Sequence, residues 1–108
     1  MDDYIEIHRD ERHIKREREK ARELRKSPFF QELLRKGVCH YCGGNFSPEE
    51  LTMDHIVPVV RGGKSTRGNV VACCKECNNK KKYLTPVEMI LMAEEAKLKN
   101  SHNENNDV

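Results

Sequence analysis

The sequence has no tryptophan, and aromatic residues make up only 6% of its 108 residues. Apolar residues reach 36%, and charged residues nearly match them at 35%. A chain this short and this poor in apolar side chains holds one compact domain with a small core. Such domains usually depend on disulfides, a bound metal or a partner chain for stability.

Long hydrophobic segments are also missing. Short apolar runs such as the one around Ile56–Val60 are far shorter than the roughly 18 residues that a membrane span needs. The N-terminus carries no charged and then apolar leader, which favours a soluble protein of the cytoplasm. The cysteines would then stay reduced, so the sequence favours metal binding over a disulfide framework.

Four of the five cysteines form two Cys-x-x-Cys pairs, Cys39 with Cys42 and Cys74 with Cys77. A two-residue gap lets both thiolates of a pair reach one tetrahedral ion, so the pairs predict a Zn²⁺ site. Four thiolates leave no open position for water, and the predicted role of this zinc is structural. Cys73 is predicted to be a small buried residue or a free thiol, because Cys74 keeps the two-residue gap to Cys77.

Helix signals stand on both sides of the centre of the chain. Residues 5–26 predict one strongly charged helix that projects into solvent, with packing through a thin apolar stripe or contact along DNA as the alternatives. Ser27 and Pro28 predict the start of a short helix that ends at Gly37. Capping patterns predict a single helical turn after Ser47 and a C-terminal helix that starts at Thr85-Pro86 and ends near residue 97.

The centre of the chain reads as strand, long loop, strand and helix. Leu51–Val60 and Val70–Cys74 are the β-like stretches, and Lys75–Lys82 is long enough for about two helical turns. The fold class is therefore α+β. We divide the chain into an N-terminal helical extension over residues 1–26, a central domain over residues 27–99, and a polar tail over residues 100–108 that is predicted to be disordered.

Basic residues dominate the stretch from Arg61 to Lys82, where Glu76 is the single acidic residue. This distribution predicts a surface that faces a polyanion, with an ordinary solvated basic face as the alternative. The basic residues concerned are Arg61, Lys64, Arg67, Lys75, Lys80, Lys81 and Lys82.

Asp54, His55, Asn69 and Asn78 lie within or beside the segment framed by the cysteine pairs. Hydrolysis of a phosphodiester bond needs a base for water, a cation that stabilises charge on the phosphate, and a positive surface that holds the strand. His55 directly follows the carboxylate of Asp54. Adjacent strand residues point to opposite faces, so both side chains can serve one phosphate only if the backbone bends there.

The order of these residues resembles the HNH endonuclease family over Cys39 to Pro86. The matching pattern is Cys-x-x-Cys, Asp-His-x-x-Pro, Gly-Gly, Asn and Cys-x-x-Cys-Asn-x-x-Lys. The resemblance implies a small ββα-metal core, held together here by the four-cysteine zinc site and flanked by the N-terminal charged helix and the C-terminal helix. It implies hydrolysis of DNA to 5′-phosphate and 3′-hydroxyl ends.

The resemblance also implies residue roles. His55 would be the general base, Asp54 would bind the catalytic ion, and Asn69 would hold the loop that orients His55. Asn78, or Asn79 next to it, would be the second ion ligand at a position where the family has histidine, which makes this an HNN variant. An oxygen-only ligand set favours Mg²⁺ or Mn²⁺ as the catalytic ion.

The expected partner is DNA. Lys80, Lys81 and Lys82 would grip phosphates near the cut, with Lys81 the lysine of the family pattern, while Arg61, Lys64 and Arg67 would hold the backbone without reading sequence. One active site cuts one strand, so double-strand cutting would need repeated nicking, a homodimer or a larger phage, restriction or mobile-element machinery. The alternative function is a catalytically silent zinc module that binds nucleic acid or protein.

Overall fold

The computed structural model describes residues 10–106, with side chains described as far as residue 99. Within these residues two helices precede a two-stranded antiparallel sheet, and two further helices follow it. The elements are α1 (Glu11–Lys26), α2 (Pro28–Lys36), β1 (Leu51–His55), β2 (Val70–Cys74), α3 (Lys75–Lys81) and α4 (Pro86–Asn106). The predicted α+β class, with strand, loop, strand and helix at its centre, is confirmed.

The helix starts follow the capping signals of the sequence. The Asp10 carboxylate accepts hydrogen bonds from the first backbone amides of α1. Ser27 ends α1 and caps α2, and Gly37 ends α2 with a φ of 71°, a conformation that glycine adopts without strain. Ser47 begins a single 3₁₀ turn over Pro48–Glu50, as predicted, with a capping box to Glu50.

The N-terminal helix packs on the domain, and the expectation that it projects into solvent is wrong. Ile14, Glu17 and Ala21 form its buried face, which lies against α2 and the 3₁₀ turn Val59–Arg61. Residues three and four apart share one face of a helix, so even this thin stripe is enough to seat it. Residues 5–9 of the predicted helix lie outside the described part of the chain.

The sheet pairs Leu51 with Cys74 at one end and His55 with Val70 at the other. β1 ends at His55, so the prediction of extended backbone as far as Val60 is wrong. Beyond the strand, the Val57 amide has no strand partner and instead donates a hydrogen bond to Oδ1 of the Asn69 side chain at 2.9 Å. The chain then turns into the 3₁₀ segment Val59–Arg61.

The core lies between the sheet, α2 and the first cysteine turn. Its buried members are Cys39, Leu51, Ala72, Cys73 and Cys74. Partly buried side chains pack around them, namely Leu33, Leu34, Tyr41, Phe46 and Cys77. Five of these ten core residues are cysteine or alanine, so the core buries little apolar surface. This agrees with the low apolar content of the sequence.

The last helix, α4, starts at Pro86 as predicted and continues to Asn106. The predicted end near residue 97 is therefore wrong, and the helix occupies most of the segment predicted as a disordered tail over residues 100–108. Its apolar side chains Val87, Ile90 and Leu91 are exposed. Among the described residues, no helix combines the length and the apolar character that a membrane crossing requires. The division of the chain into three parts stays a prediction.

Candidate functional site

Four cysteine thiols meet at one point. The sulfur atoms of Cys39, Cys42, Cys74 and Cys77 all lie within 4.8 Å of one another, an arrangement that can hold a metal ion. The turn after α2 supplies the first pair, and the junction of β2 with α3 supplies the second. Backbone amides donate hydrogen bonds to three of the sulfurs at 3.4 to 3.5 Å, which helps to orient them.

Cys73 is outside this cluster. Its side chain is fully buried in the core, as predicted. Burial raises the pKa of the Cys73 thiol to about 12, so this thiol stays protonated and is a poor ligand.

A groove of about 440 Å³ lies between α1, β1, the turn at residues 58–60, and α3 with the two residues that follow it. Asp54, His55 and Asn78 all line it. β1 ends at His55, and both Asp54 and His55 line the groove although they are neighbours in the strand. Asn79, the alternative ligand, is exposed and does not line the groove.

The carboxylate of Asp54 is nearly buried and already has two partners. Its Oδ2 accepts a hydrogen bond from the Tyr41 hydroxyl at 2.5 Å and lies 3.3 Å from the Lys81 ammonium. Burial and the neighbouring carboxylate raise the pKa of Tyr41, which keeps its hydroxyl proton available for Asp54. No hydrogen bond to Oδ1 is found among residues 10–99, so this oxygen can accept a further ligand.

The ring of His55 is held from one side. Its Nε2 lies 2.9 Å from the hydroxyl of Ser65. Burial is the main cause that lowers the pKa of His55. The carboxylates of Asp54 and Glu17 act to raise this pKa, while the positive charges of Lys81 and Arg25 act to lower it. The ring is therefore neutral at neutral pH and can accept a proton.

Asn69 clamps the loop between the strands. Its Oδ1 accepts the amide of Val57, and its Nδ2 donates to the carbonyls of Val57 at 3.0 Å and Lys64 at 2.9 Å. Two of these bonds are to Val57, two residues beyond His55, and the third reaches Lys64 on the far side of the loop. Asn69 does not line the groove, and its geometry suits a residue that shapes the loop next to His55.

The predicted DNA-contacting residues fall into different environments. Lys81 is only 1% exposed and donates to the backbone carbonyl of His55 at 2.9 Å, so its ammonium is not available on the surface. Lys80 and Lys82 are exposed, and Lys82 lines the groove. In the loop, Lys64 is exposed, Arg61 pairs with Glu88, and Arg67 lies over the Phe29 ring.

Sequence reasoning missed several residues of the groove and its support. Glu17 shares the helical face of Ile14 and Ala21, and a charged residue on an apolar face is a signal that could have been used. Arg18, Arg22 and Arg25 also line the groove from α1. Nothing in the local sequence indicates the contacts of Tyr41 or Ser65.

The fold and the site define a class of domain. An antiparallel strand pair and a following helix place histidine, aspartate and asparagine in one groove beside a four-cysteine cluster, which is the arrangement of an HNH ββα-metal core. A family model described as HNH endonuclease matches residues 39–83. The resemblance read from the sequence is thus confirmed for this segment.

Two curated proteins are similar to part of this chain. The CRISPR-associated endonuclease Cas9 of Corynebacterium diphtheriae is 46% identical over 44 residues, which are 40% of this chain. The CRISPR-associated endonuclease Cas9 of Actinomyces naeslundii is 43% identical over 45 residues, or 41% of this chain. The match spans 4% of the length of either relative.

Proposed function

We propose that this chain is a metal-dependent endonuclease that hydrolyses phosphodiester bonds of DNA. The observation that carries the proposal is that His55 shares one groove with Asp54 and Asn78, inside the segment that matches the HNH endonuclease model. The two Cas9 relatives, which are endonucleases by name, support the same class of reaction.

His55 is the proposed general base. It takes a proton from water as the water oxygen bonds to phosphorus, and the bond from phosphorus to the 3′ oxygen breaks. The departing 3′ oxygen takes a proton from a solvent water and ends as a hydroxyl, the phosphate stays on the 5′ end, and His55 then returns its proton to solvent. The lowered pKa of His55 suits this role, because only the neutral ring can take the proton.

Asp54 and Asn78 are the proposed ligands of the catalytic ion. Both line the groove and both offer oxygen atoms, a donor set that fits Mg²⁺ or Mn²⁺. Such an ion supplies charge neutralisation at the phosphate when it is bound. Tyr41 and Lys81 hold Oδ2 of Asp54, and no residue among 10–99 donates a hydrogen bond to Oδ1.

The four-cysteine cluster is the proposed structural Zn²⁺ site. Four thiolates match the tetrahedral preference of zinc and leave no position for a reactive water. Its place at the junction of β2 and α3 ties the turn after α2 to the helix that carries Asn78.

The proposed substrate contacts are electrostatic. Lys64, Lys80 and Lys82 present exposed ammonium groups, and Arg61 and Arg67 lie in the same loop as Lys64. Contacts with phosphates position a strand without reading its sequence. One active site cuts one strand, so a nick is the expected product of one turnover.

The test is a plasmid assay with wild type and His55→Ala in Mg²⁺ and in Mn²⁺. We expect wild type to convert supercoiled plasmid to the nicked form, and His55→Ala to react about 10² to 10⁴ times more slowly, because the proton acceptor is removed. The matched control is His40→Ala, since His40 is exposed and lies outside the groove.

Binding measurements separate the proposal from a silent binding module. We expect His55→Ala to bind DNA as tightly as wild type. If wild type binds DNA but cuts none with either ion, or if His40→Ala slows cutting as much as His55→Ala, the catalytic assignment is wrong.

A further inference from the structure

Three arginines of α1 form one wall of the groove. Arg18, Arg22 and Arg25 are spaced by four and three residues, so they share one face of the helix. Their side chains are exposed, and the groove that they line also contains His55 and Asn78. Residues 39–83, which match the family model, do not include this helix.

These arginines have no acidic partners among residues 10–99. Glu17 of the same helix lies on the buried face and contacts Arg16 and Lys20. Three unpaired guanidiniums on the wall of a groove complement a polyanion. Arg18 and Arg25 lie about 10 Å apart along the helix axis, which corresponds to about three nucleotides of a DNA strand.

We propose that this arginine wall binds the phosphate backbone of the DNA strand that occupies the groove. The inference rests on the proposed nuclease function and gives α1 a part in substrate binding. Guanidinium forks contact phosphate oxygens in pairs and carry no base information. Substrate affinity should therefore depend on α1 equally for every DNA sequence.

The experiment measures duplex DNA binding across a range of salt concentrations. The parent is His55→Ala, so that bound DNA is not cut, and the variant adds Arg18→Gln, Arg22→Gln and Arg25→Gln. We expect weaker binding in the variant. We also expect the plot of log binding constant against log salt concentration to have a slope that is shallower by about 0.9 for each phosphate that the arginines no longer neutralise. The control removes the same charge from exposed positions outside the groove with Arg12→Gln, Lys36→Gln and Lys97→Gln.

The outcomes separate this inference from the nuclease proposal. A shallower slope in the groove variant but not in the control supports the arginine wall. Equal affinity and slope in both overturn it, and plasmid nicking by wild type would then still support the nuclease. If wild type neither binds nor cuts DNA, both proposals fail.

A second inference comes from the hydrogen bonds behind His55. The Ser65 hydroxyl donates to the backbone carbonyl of Glu17 at 2.6 Å, and the Ser65 amide donates to Oε1 of Glu17 at 2.7 Å. Glu17 is 2% exposed, so its buried carboxylate receives the Ser65 amide away from solvent. The next atom in the chain of bonds is Nε2 of His55, 2.9 Å from the Ser65 hydroxyl.

A hydroxyl can donate one hydrogen bond, and the Ser65 hydroxyl donates its proton to the backbone carbonyl of Glu17. The Ser65 oxygen can then only accept from His55, so Nε2 of His55 must carry the proton of the neutral ring. The lone pair is left on Nδ1. We infer that Glu17 and Ser65 are positioning residues that fix this tautomer of His55, so that Nδ1 is the atom that takes the proton from water.

This inference deepens the proposed function, yet its test needs no cleavage. Nitrogen NMR of the full chain with labelled histidine rings distinguishes a protonated from a bare ring nitrogen. We expect wild-type His55 to show a bare Nδ1 and a protonated Nε2, and Ser65→Ala to show a mixture of tautomers. A wild-type ring protonated on Nδ1, or an unchanged pattern in Ser65→Ala, overturns the inference whether or not the protein cuts DNA.

Kinetics give a second readout for Glu17. Glu17→Gln keeps an oxygen for the Ser65 amide, whereas Glu17→Ala removes it. We expect Glu17→Ala to lower kcat with little change in KM for DNA, and Glu17→Gln to restore most of kcat. Glu23→Ala, on the exposed face of α1, is the control and should match wild type. Equal losses in Glu17→Gln and Glu17→Ala would contradict the positioning role.

Discussion

At the residue scale, the Lys81 ammonium lies between the carboxylate of Asp54 and the backbone carbonyl of His55, at 3.3 and 2.9 Å. Its neighbour Lys80 is exposed and makes only a surface contact with Glu76. The two lysines are adjacent in sequence, but helix geometry turns one inward and the other outward. Lys81 therefore holds the two residues on which the proposed chemistry depends.

Replacement of Lys81 should lower stability more than DNA affinity. Lys81→Met leaves Asp54 buried without its cation, and breaking a buried ion pair costs about 3 to 5 kcal/mol. Lys80→Met should change the free energy of unfolding by less than about 0.5 kcal/mol, because exposed pairs contribute little. Urea unfolding of both variants checks this. A stable Lys81→Met protein with weakened DNA binding would instead indicate that Lys81 contacts phosphate.

At the element scale, α1 joins the domain through polar as well as apolar contacts. Ile14 and Ala21 bury apolar surface, the ring of His13 bonds to the carbonyl of Gly63, and Glu17 holds Ser65. Gly63 itself has no space for a side chain, because a Cβ there would lie 1.7 Å from the carbonyl oxygen of Val57. The helix and the glycine together set the path of the loop beside His55.

Acid should weaken the attachment of α1. The hydrogen bond from the Ser65 amide lowers the pKa of Glu17. Burial acts in the opposite direction, and the positive charge of Lys20 lowers the pKa further. A lowered pKa means that the carboxylate stabilises the fold above its unfolded pKa of about 4.3, and that this stabilisation disappears as the pH falls through the lower folded value.

Glu17→Gln tests this dependence. We expect the free energy of unfolding of wild type to fall more steeply below about pH 4.5 than that of Glu17→Gln, since the variant has no proton to take up. Urea unfolding at a series of pH values measures the difference. Glu23→Gln, which changes an exposed acid of the same helix, should follow the wild-type curve.

At the scale of the whole molecule, the small core makes the cysteine cluster the main candidate for stabilising the fold. Structural zinc in small peptides contributes about 10 to 16 kcal/mol of apparent binding energy at neutral pH, which is comparable to the stability of an ordinary domain. The cluster also connects three parts of the chain, namely the turn after α2, the end of β2 and α3.

Removal of the metal should therefore unfold the domain. We expect one tightly bound Zn²⁺ per chain by elemental analysis, and loss of the cooperative thermal transition after treatment with a strong chelator. Cys42→Ser should lose the metal and fold poorly, while Cys73→Ala should keep one Zn²⁺, because Cys73 lies outside the cluster. A protein that folds equally well without metal would show that the cluster is not a structural site.

The sequence by itself determined the features that depend on neighbouring residues. The caps at Ser27 and Ser47, the left-handed end of α2 at Gly37, and the two-residue gaps of the cysteine pairs all depend on side chains a few positions apart. The HNH pattern belongs to the same class of signal, since it is a spacing within one segment of the chain.

Only the tertiary structure decided how α1 packs and which of its side chains reach the groove. Ser65 and Glu17 are 48 positions apart, and Lys81 and His55 are 26 apart, so their contacts depend on how the loop and helices return to the sheet. Residue type cannot distinguish the buried Lys81 from the exposed Lys80, nor the arginines of the groove from those elsewhere on α1. Those roles depend on which face of each helix meets the sheet.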